Sequence, residues 1–218
     1  IGLINSSVSG DTRFDRVKKL RVRDNFVEYI DEFKQNKKTI VFGSSWESEE
    51  RLAEIVASKN RDLKMIIAPH DLKRVANLKE IFPNAMLYSQ LTNSQVFNSS
   101  NSQVLIIDCI GLLSKLYSYG DLAVVGGGFH SKGLHNILEA ATFGIPVLFG
   151  DHYQKNPEAD ELIAQHGGKS FEDEFFAAPY ILNLLNDEVS MKKMSLNARN
   201  FIDSQPNASE LILNKMLS

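Results

Sequence analysis

The sequence is poor in several things, and each shortage excludes a class of protein. Its 218 residues hold one cysteine, Cys109, so no internal disulfide forms, and that usage fits a reducing compartment. No apolar run approaches the ~20 residues that span a bilayer, and there is no signal-peptide pattern. Six prolines and one tryptophan leave no Pro-rich or low-complexity tract. Positive charge is not in excess: 24 Lys and Arg face 27 Asp and Glu, a net charge of −3. That balance argues against a nucleic-acid polymer held by bulk cationic attraction. No GxSxG elbow for a Ser-His-Asp hydrolase is present. His130, His135 and His152 lie close together in the chain, but none pairs at the i, i+4 spacing of an HExxH site, so no metal is expected.

What is present describes an ordinary globular protein, 43% hydrophobic and 23% charged. The length suits one large domain with a buried core. A short β-branched run, a polar or glycine-containing turn and an amphipathic helix recur along it. Strands are expected at 39–42, 63–68, 104–108, 122–125 and 146–149. Helices are expected at 47–58 (started near Ser48), 72–81 (started by Asp71), 112–117, near 135–143 and near 158–165. Residues 13–35 read as helix, interrupted near Asp24-Asn25. A helical tail of two or three pieces covers about 173–218, with breaks at 187–189 and 205–207. Alternating strands and helices define an α/β fold, a doubly wound parallel sheet of Rossmann-like type, with residues 1–218 as a single domain. The sequons at Asn5, Asn98 and Asn207 are read as chance occurrences.

In such sheets ligands bind outside the carboxyl ends of the strands. The richest segment there runs from Gly126 to Glu139, and seven of the 13 glycines fall between 120 and 150. Glycine lets a ligand approach the backbone, and a following helix offers unpaired N–H groups to a phosphate. Ser131 and Leu134 break the GxGxxG and Walker patterns, so neither a Rossmann NAD fingerprint nor a P-loop is present. Glu139 stands four residues after His135. Two readings of it stand: a carboxylate for two ribose hydroxyls, or a charge complementing a helix dipole with His135 as cap. Arg13 is either a surface cation on a helix start or a phosphate ligand. Lys18, Lys19, Lys37 and Lys38 form a solvated face, also suited to a membrane-bound acceptor.

The stretches GDTRFDRV (10–17), VFGSSWESEE (41–50), IIAPHD (66–71), DCIGLLSKLYSYGDLAVVGGG (108–128) and GLHNILEAATFGIPVLFG (133–150) closely resemble the C-terminal, donor-binding half of bacterial 3-deoxy-D-manno-octulosonic acid (Kdo) transferases. The resemblance covers nearly the whole chain, and the order and spacing of five motifs make it specific. It implies the C-terminal half of a GT-B glycosyltransferase of lipopolysaccharide biosynthesis. The donor is then CMP-Kdo, the acceptor a lipid A precursor, and transfer inverts the anomeric centre without a bound metal or other cofactor. By the same resemblance Arg13 contacts the donor phosphate, and Ser44 and Ser45 the phosphate or sugar. Pro69 and His70 line the cytidine pocket, with Ile110 and Gly111 near the base. Gly127 and Gly128 give backbone approach, His135 and Asn136 lie over the phosphate, and Glu139 takes the ribose hydroxyls. Leu134, Ile137 and Leu112 stand where the family usually has glycine, proline and glutamate. The family's general base and its membrane attachment lie in an N-terminal, acceptor-binding domain. With Ile1 in place of an initiator Met, this chain is expected to be the donor-binding half only, soluble, inactive alone, and part of an enzyme at the cytoplasmic face of the bacterial inner membrane. A UDP-sugar GT-B transferase or epimerase half and a non-catalytic nucleotide-binding module are the alternatives.

Overall fold

The computed structural model of the protein describes residues 7–92 and 102–217. Strands β1 (Thr39–Ser45), β2 (Lys64–Pro69), β3 (Met86–Leu87), β4 (Val104–Ile106), β5 (Leu122–Val125), β6 (Val147–Gly150) and β7 (Gly168–Phe171) form one sheet. Every pairing is parallel, in the order β3-β4-β2-β1-β5-β6-β7. The helices in chain order are α1 (Thr12–Val22), α2 (Ile30–Lys34), α3 (Glu47–Lys59), α4 (Val75–Ile81), α5 (Leu113–Leu116), α6 (Leu138–Ala141), α7 (Pro157–Ala164), α8 (Glu174–Asn186), α9 (Glu188–Asp203) and α10 (Ala208–Leu217).

Successive strand residues point to opposite faces, so apolar runs serve two cores at once. Val41, Ile66, Leu105, Ala123 and Val147 meet Phe14 and Val17 of α1, Phe33 of α2 and Phe201 of α9. Their neighbours Ile40, Phe42, Met65, Ile67 and Val124 meet Leu52 and Val56 of α3, Leu78 of α4 and Ile181 of α8. The chain leaves β1 for β2 on one side, while β5 pairs with β1 on the other. The strand order therefore reverses between β1 and β5, and a crevice opens at their carboxyl ends.

Several expectations are corrected in detail. The helix expected over 72–81 is a 3₁₀ turn at Leu72–Arg74 followed by α4; Asp71 does cap it, accepting from the Lys73 N–H at 2.9 Å. Helix α3 starts at Glu47, not after Ser48, and the N–H of its N-cap Trp46 donates to the Glu49 carboxylate at 2.9 Å. The helix expected near 135–143 shrinks to the four residues of α6, leaving His135 and Asn136 outside it. The tail forms three helices, with Asp187 capping α9 through the Val189 and Ser190 N–H groups. Asn5 and Asn98 lie outside the described residues; Asn207 donates to Glu210 at the start of α10. Among the described residues no helix is long and apolar enough to cross a membrane.

Candidate functional site

The two central strand ends meet through bare backbone. Ser44 takes a left-handed conformation (φ 52°), and the β1–β2 register shifts between Gly43 and Ser45. A Cβ on Gly126 would lie 2.0 Å from the Ser44 carbonyl oxygen, so no side chain fits. Gly127 has φ +91°, and a Cβ there would lie 2.3 Å from the Gly133 carbonyl oxygen. At Gly128 the corresponding space is filled by the backbone of Gly150, 2.6 Å away. The glycine turn is thus demanded first by its own packing, and at Gly128 the side on which a Cβ would stand is occupied by β6.

A buried carboxylate ties the turn together. Glu49 is fully buried, and its two oxygens accept from the N–H groups of Trp46 and Gly127, each at 2.9 Å. Burial pushes its pKa up, against the backbone donors that pull it down. Next to it, Glu50 is also buried and receives both Nε and Nη2 of Arg74, at 2.8 and 2.7 Å. Ser45 belongs to this inner layer: its side chain is buried, its hydroxyl lies 3.5 Å from Glu50, and its carbonyl accepts from the His70 N–H. Of the serine pair, Ser44 is the half-buried one.

Over these acids lies a cluster of rings. Trp46 stacks on His70 with centroids 4.4 Å apart, and His70 packs on His135 at 4.6 Å. His130 meets Trp46 edge-on at 5.0 Å, and the Lys132 ammonium sits 4.2 Å from the centre of the indole. Burial first, then neighbouring His70 and His130, push the pKa of His135 down; burial lowers that of His130 too, with Lys132 adding to it and a backbone hydrogen bond opposing.

Asn136 follows His135 and does two things. Its Oδ1 accepts from the Leu138 N–H at 3.0 Å, starting α6, and its Nδ2 donates to Glu139 at 3.1 Å. Glu139 is half-buried in the first turn. Four helical residues supply only a small dipole, so a ligand here is met by side chains more than by a helix end. Pro69 ends β2 and His70 follows it, while Ile110 is 86% exposed beside Gly111, whose φ is +92°. Arg13 stands apart from this convergence in its bonding: its Nη atoms donate to the buried Glu158 at 2.9 and 3.1 Å, and its Nε donates to Asp11 at 2.8 Å. Among the described residues no three His, Cys, Asp or Glu side chains converge as a metal site.

Sequence reasoning alone misses Trp46, Glu49 and Lys132. Glu49 looks like any first-turn acid of α3, and Trp46 like an incidental aromatic before it. Their one signal is position, directly after the β1 strand end where a ligand crevice is expected.

No family model matches the chain. The 3-deoxy-D-manno-octulosonic acid transferase of Chlamydophila psittaci is 32% identical over 114 residues, 52% of this chain and 26% of that protein. The enzyme of the same name from Rickettsia typhi is 26% identical over 214 residues, 93% of this chain and 45% of that protein. The chain thus spans less than half the length of these curated relatives. The C-terminal CMP-Kdo binding domain of WaaA from Acinetobacter baumannii superposes with a TM-score of 0.69 at 20% identity, covering 87% of this chain and 97% of that one. The all-parallel sheet with its crevice at the β1–β5 ends therefore has the fold of a GT-B glycosyltransferase C-terminal domain. Within that class, the chain is a relative of the Kdo transferases.

Proposed function

We propose that the chain is the donor-binding domain of an inverting glycosyltransferase that moves Kdo from CMP-Kdo to a lipid A precursor in lipopolysaccharide biosynthesis. One observation carries the reading: four of the five segments that resemble Kdo transferases, all but the one at the start of α1, are brought together by the sheet at the carboxyl ends of β1, β2, β4 and β5. In this reading Glu139 accepts from the ribose hydroxyls, and Asn136, already bonded to it, turns with it toward the nucleotide. Pro69, His70, Ile110 and Gly111 flank the cytosine. As the bond from the anomeric carbon to the phosphate oxygen breaks, negative charge grows on the departing cytidine monophosphate. Ser44, His135, Asn136 and Lys132 are the groups at hand to stabilise it. Arg13 contributes only by giving up a carboxylate partner.

The acceptor hydroxyl loses its proton to a general base, which this reading assigns to a facing acceptor domain, together with membrane attachment. The reaction needs no resident metal, and this chain by itself binds donor without turnover. Calorimetric titration with CMP, UDP and NAD tests the reading. Saturable CMP binding that exceeds UDP and NAD is expected. Preference for UDP, or no heat with CMP at millimolar concentration, overturns it.

A further inference from the structure

The ring stack fixes one proton. The indole Nε1–H of Trp46 lies 3.3 Å from Nε2 of His135, and an indole nitrogen can only donate. The imidazole nitrogen that receives this bond carries no hydrogen, so a neutral His135 holds its proton on Nδ1. Burial first, then His70 packed on the ring and His130 beyond the indole, lower the pKa of His135 and so oppose a second proton on it. Lys132 sits over the indole, and the buried carboxylates of Glu49 and Glu50 lie beneath the stack, with Glu49 accepting from the Trp46 backbone N–H.

The orientation of the ring is fixed from another side as well. Its Cδ2 edge lies against the glycine turn, where a Cβ on Gly127 would stand 3.1 Å from it. The His135 backbone N–H donates to the Gly126 carbonyl at 3.0 Å, anchoring the residue to the same turn. Nδ1 makes no hydrogen bond among the described residues and is not one of the fully buried unpartnered nitrogens, and the residue is half-buried, so Nδ1 is not sealed off from a ligand. The result is an N–H donor at the crevice whose proton is placed by a residue that need not touch the ligand.

We propose that Trp46 is a positioning residue: its indole N–H locks His135 in the Nδ1–H tautomer and so presents that N–H to the phosphate of a bound nucleotide. The lock stands on the geometry of the two rings; its use on a phosphate rests on the nucleotide reading above. The opposite tautomer, with Nε2–H, would set two hydrogens against each other at the Trp46 contact and leave a bare acceptor facing an anionic ligand. That arrangement repels where the other attracts.

Two-bond ¹H–¹⁵N correlation of the histidine rings, with His135 assigned through a His135→Gln variant, reads the tautomer directly. In the native chain at pH 8 the Nδ1–H pattern is expected for His135. Trp46→Phe keeps an aromatic ring beside His70 while removing the donor, and it should shift His135 to Nε2–H. An Nε2–H pattern in the native chain, or an unchanged pattern in Trp46→Phe, overturns the lock; the native spectrum decides even if the variant fails to fold. CMP and inorganic phosphate titrations then test the use of the proton. A loss of roughly 3- to 10-fold for both in Trp46→Phe, the effect of one hydrogen bond, with cytidine binding unchanged, supports it. A shifted tautomer with unchanged phosphate affinity overturns the phosphate role. An Nδ1–H native chain that binds neither CMP nor phosphate overturns the nucleotide reading and supports the lock.

Discussion

Glu139 is prepared for a diol before any ligand arrives. Asn136 holds one of its oxygens at 3.1 Å, and its place in the first turn of α6 fixes the backbone beneath it. A carboxylate with one amide donor retains acceptor capacity for two hydroxyls. Glu139→Ala should weaken CMP binding about 10- to 100-fold, the range of one or two charge-assisted hydrogen bonds. Calorimetry checks this with a built-in control, since 2′,3′-dideoxy-CMP should bind both proteins alike. An equal loss for the dideoxy nucleotide would show that the residue acts on the turn and not on the ribose. In the sequence Glu139 is set apart from Glu158 and Glu161, which also sit in a helix that follows a strand, by the glycine-rich segment before it and by its spacing from His135.

At the scale of elements, legibility in the sequence follows burial. Strands β1, β2, β4, β5 and β6 lie inside the sheet and pack on both faces, so each is a near-continuous apolar run that stands out from its surroundings. The edge strands are silent: β3 has two residues, and β7 reads GKSF with Lys169 exposed between buried ends. Helix α6 is overread because its apolar spacing continues upstream, while the His135 N–H donates to the Gly126 carbonyl, nine residues back, and so ties that segment to the glycine turn outside the helix. The crevice residues from β2, β4 and β5 are legible because they follow those runs; Glu49 and Trp46 are not, since their bonds cross to residues 78 and 89 positions away. The last helix shows the same dependence on distant partners. Asp15 in α1 accepts from the N–H of Ala208 at 3.2 Å and from the N–H and hydroxyl of Ser209, both at 2.6 Å. The Ser209 hydroxyl first, and the backbone donors with it, hold the Asp15 carboxyl below its ordinary range. Asp15→Ala should cost about 1–3 kcal/mol, the worth of a strong helix cap. Hydrogen exchange should localise the effect, with faster exchange over 208–217 and unchanged protection in β1.

Across the whole molecule, the ion pair between Arg13 and Glu158 decides what the first helix is for. The two residues are 145 positions apart and join the start of α1 to the start of α7, two helices on the same face of the sheet. Glu158 is 3% exposed, whereas the Arg13 side chain is 51% exposed, so the carboxylate depends on the pair far more than the guanidinium does. Removing the cation leaves a buried charge with only the weak 3.3 Å donation from Asn156. Arg13→Ala should therefore destabilise by about 2–3 kcal/mol, below the usual figure for a buried pair because one partner is in solvent. Adding Glu158→Gln neutralises the stranded carboxylate, and denaturant unfolding should recover most of that loss in the double variant. The refolded double variant then separates two roles that the single variant confounds. Were Arg13 a phosphate ligand, CMP affinity would stay weak after stability returned. Because its Nη atoms are committed to Glu158 and its Nε to Asp11, the double variant should bind CMP within threefold of the native chain. A persistent tenfold deficit would return Arg13 to the donor site and make Glu158 the carboxylate that releases it when the nucleotide arrives.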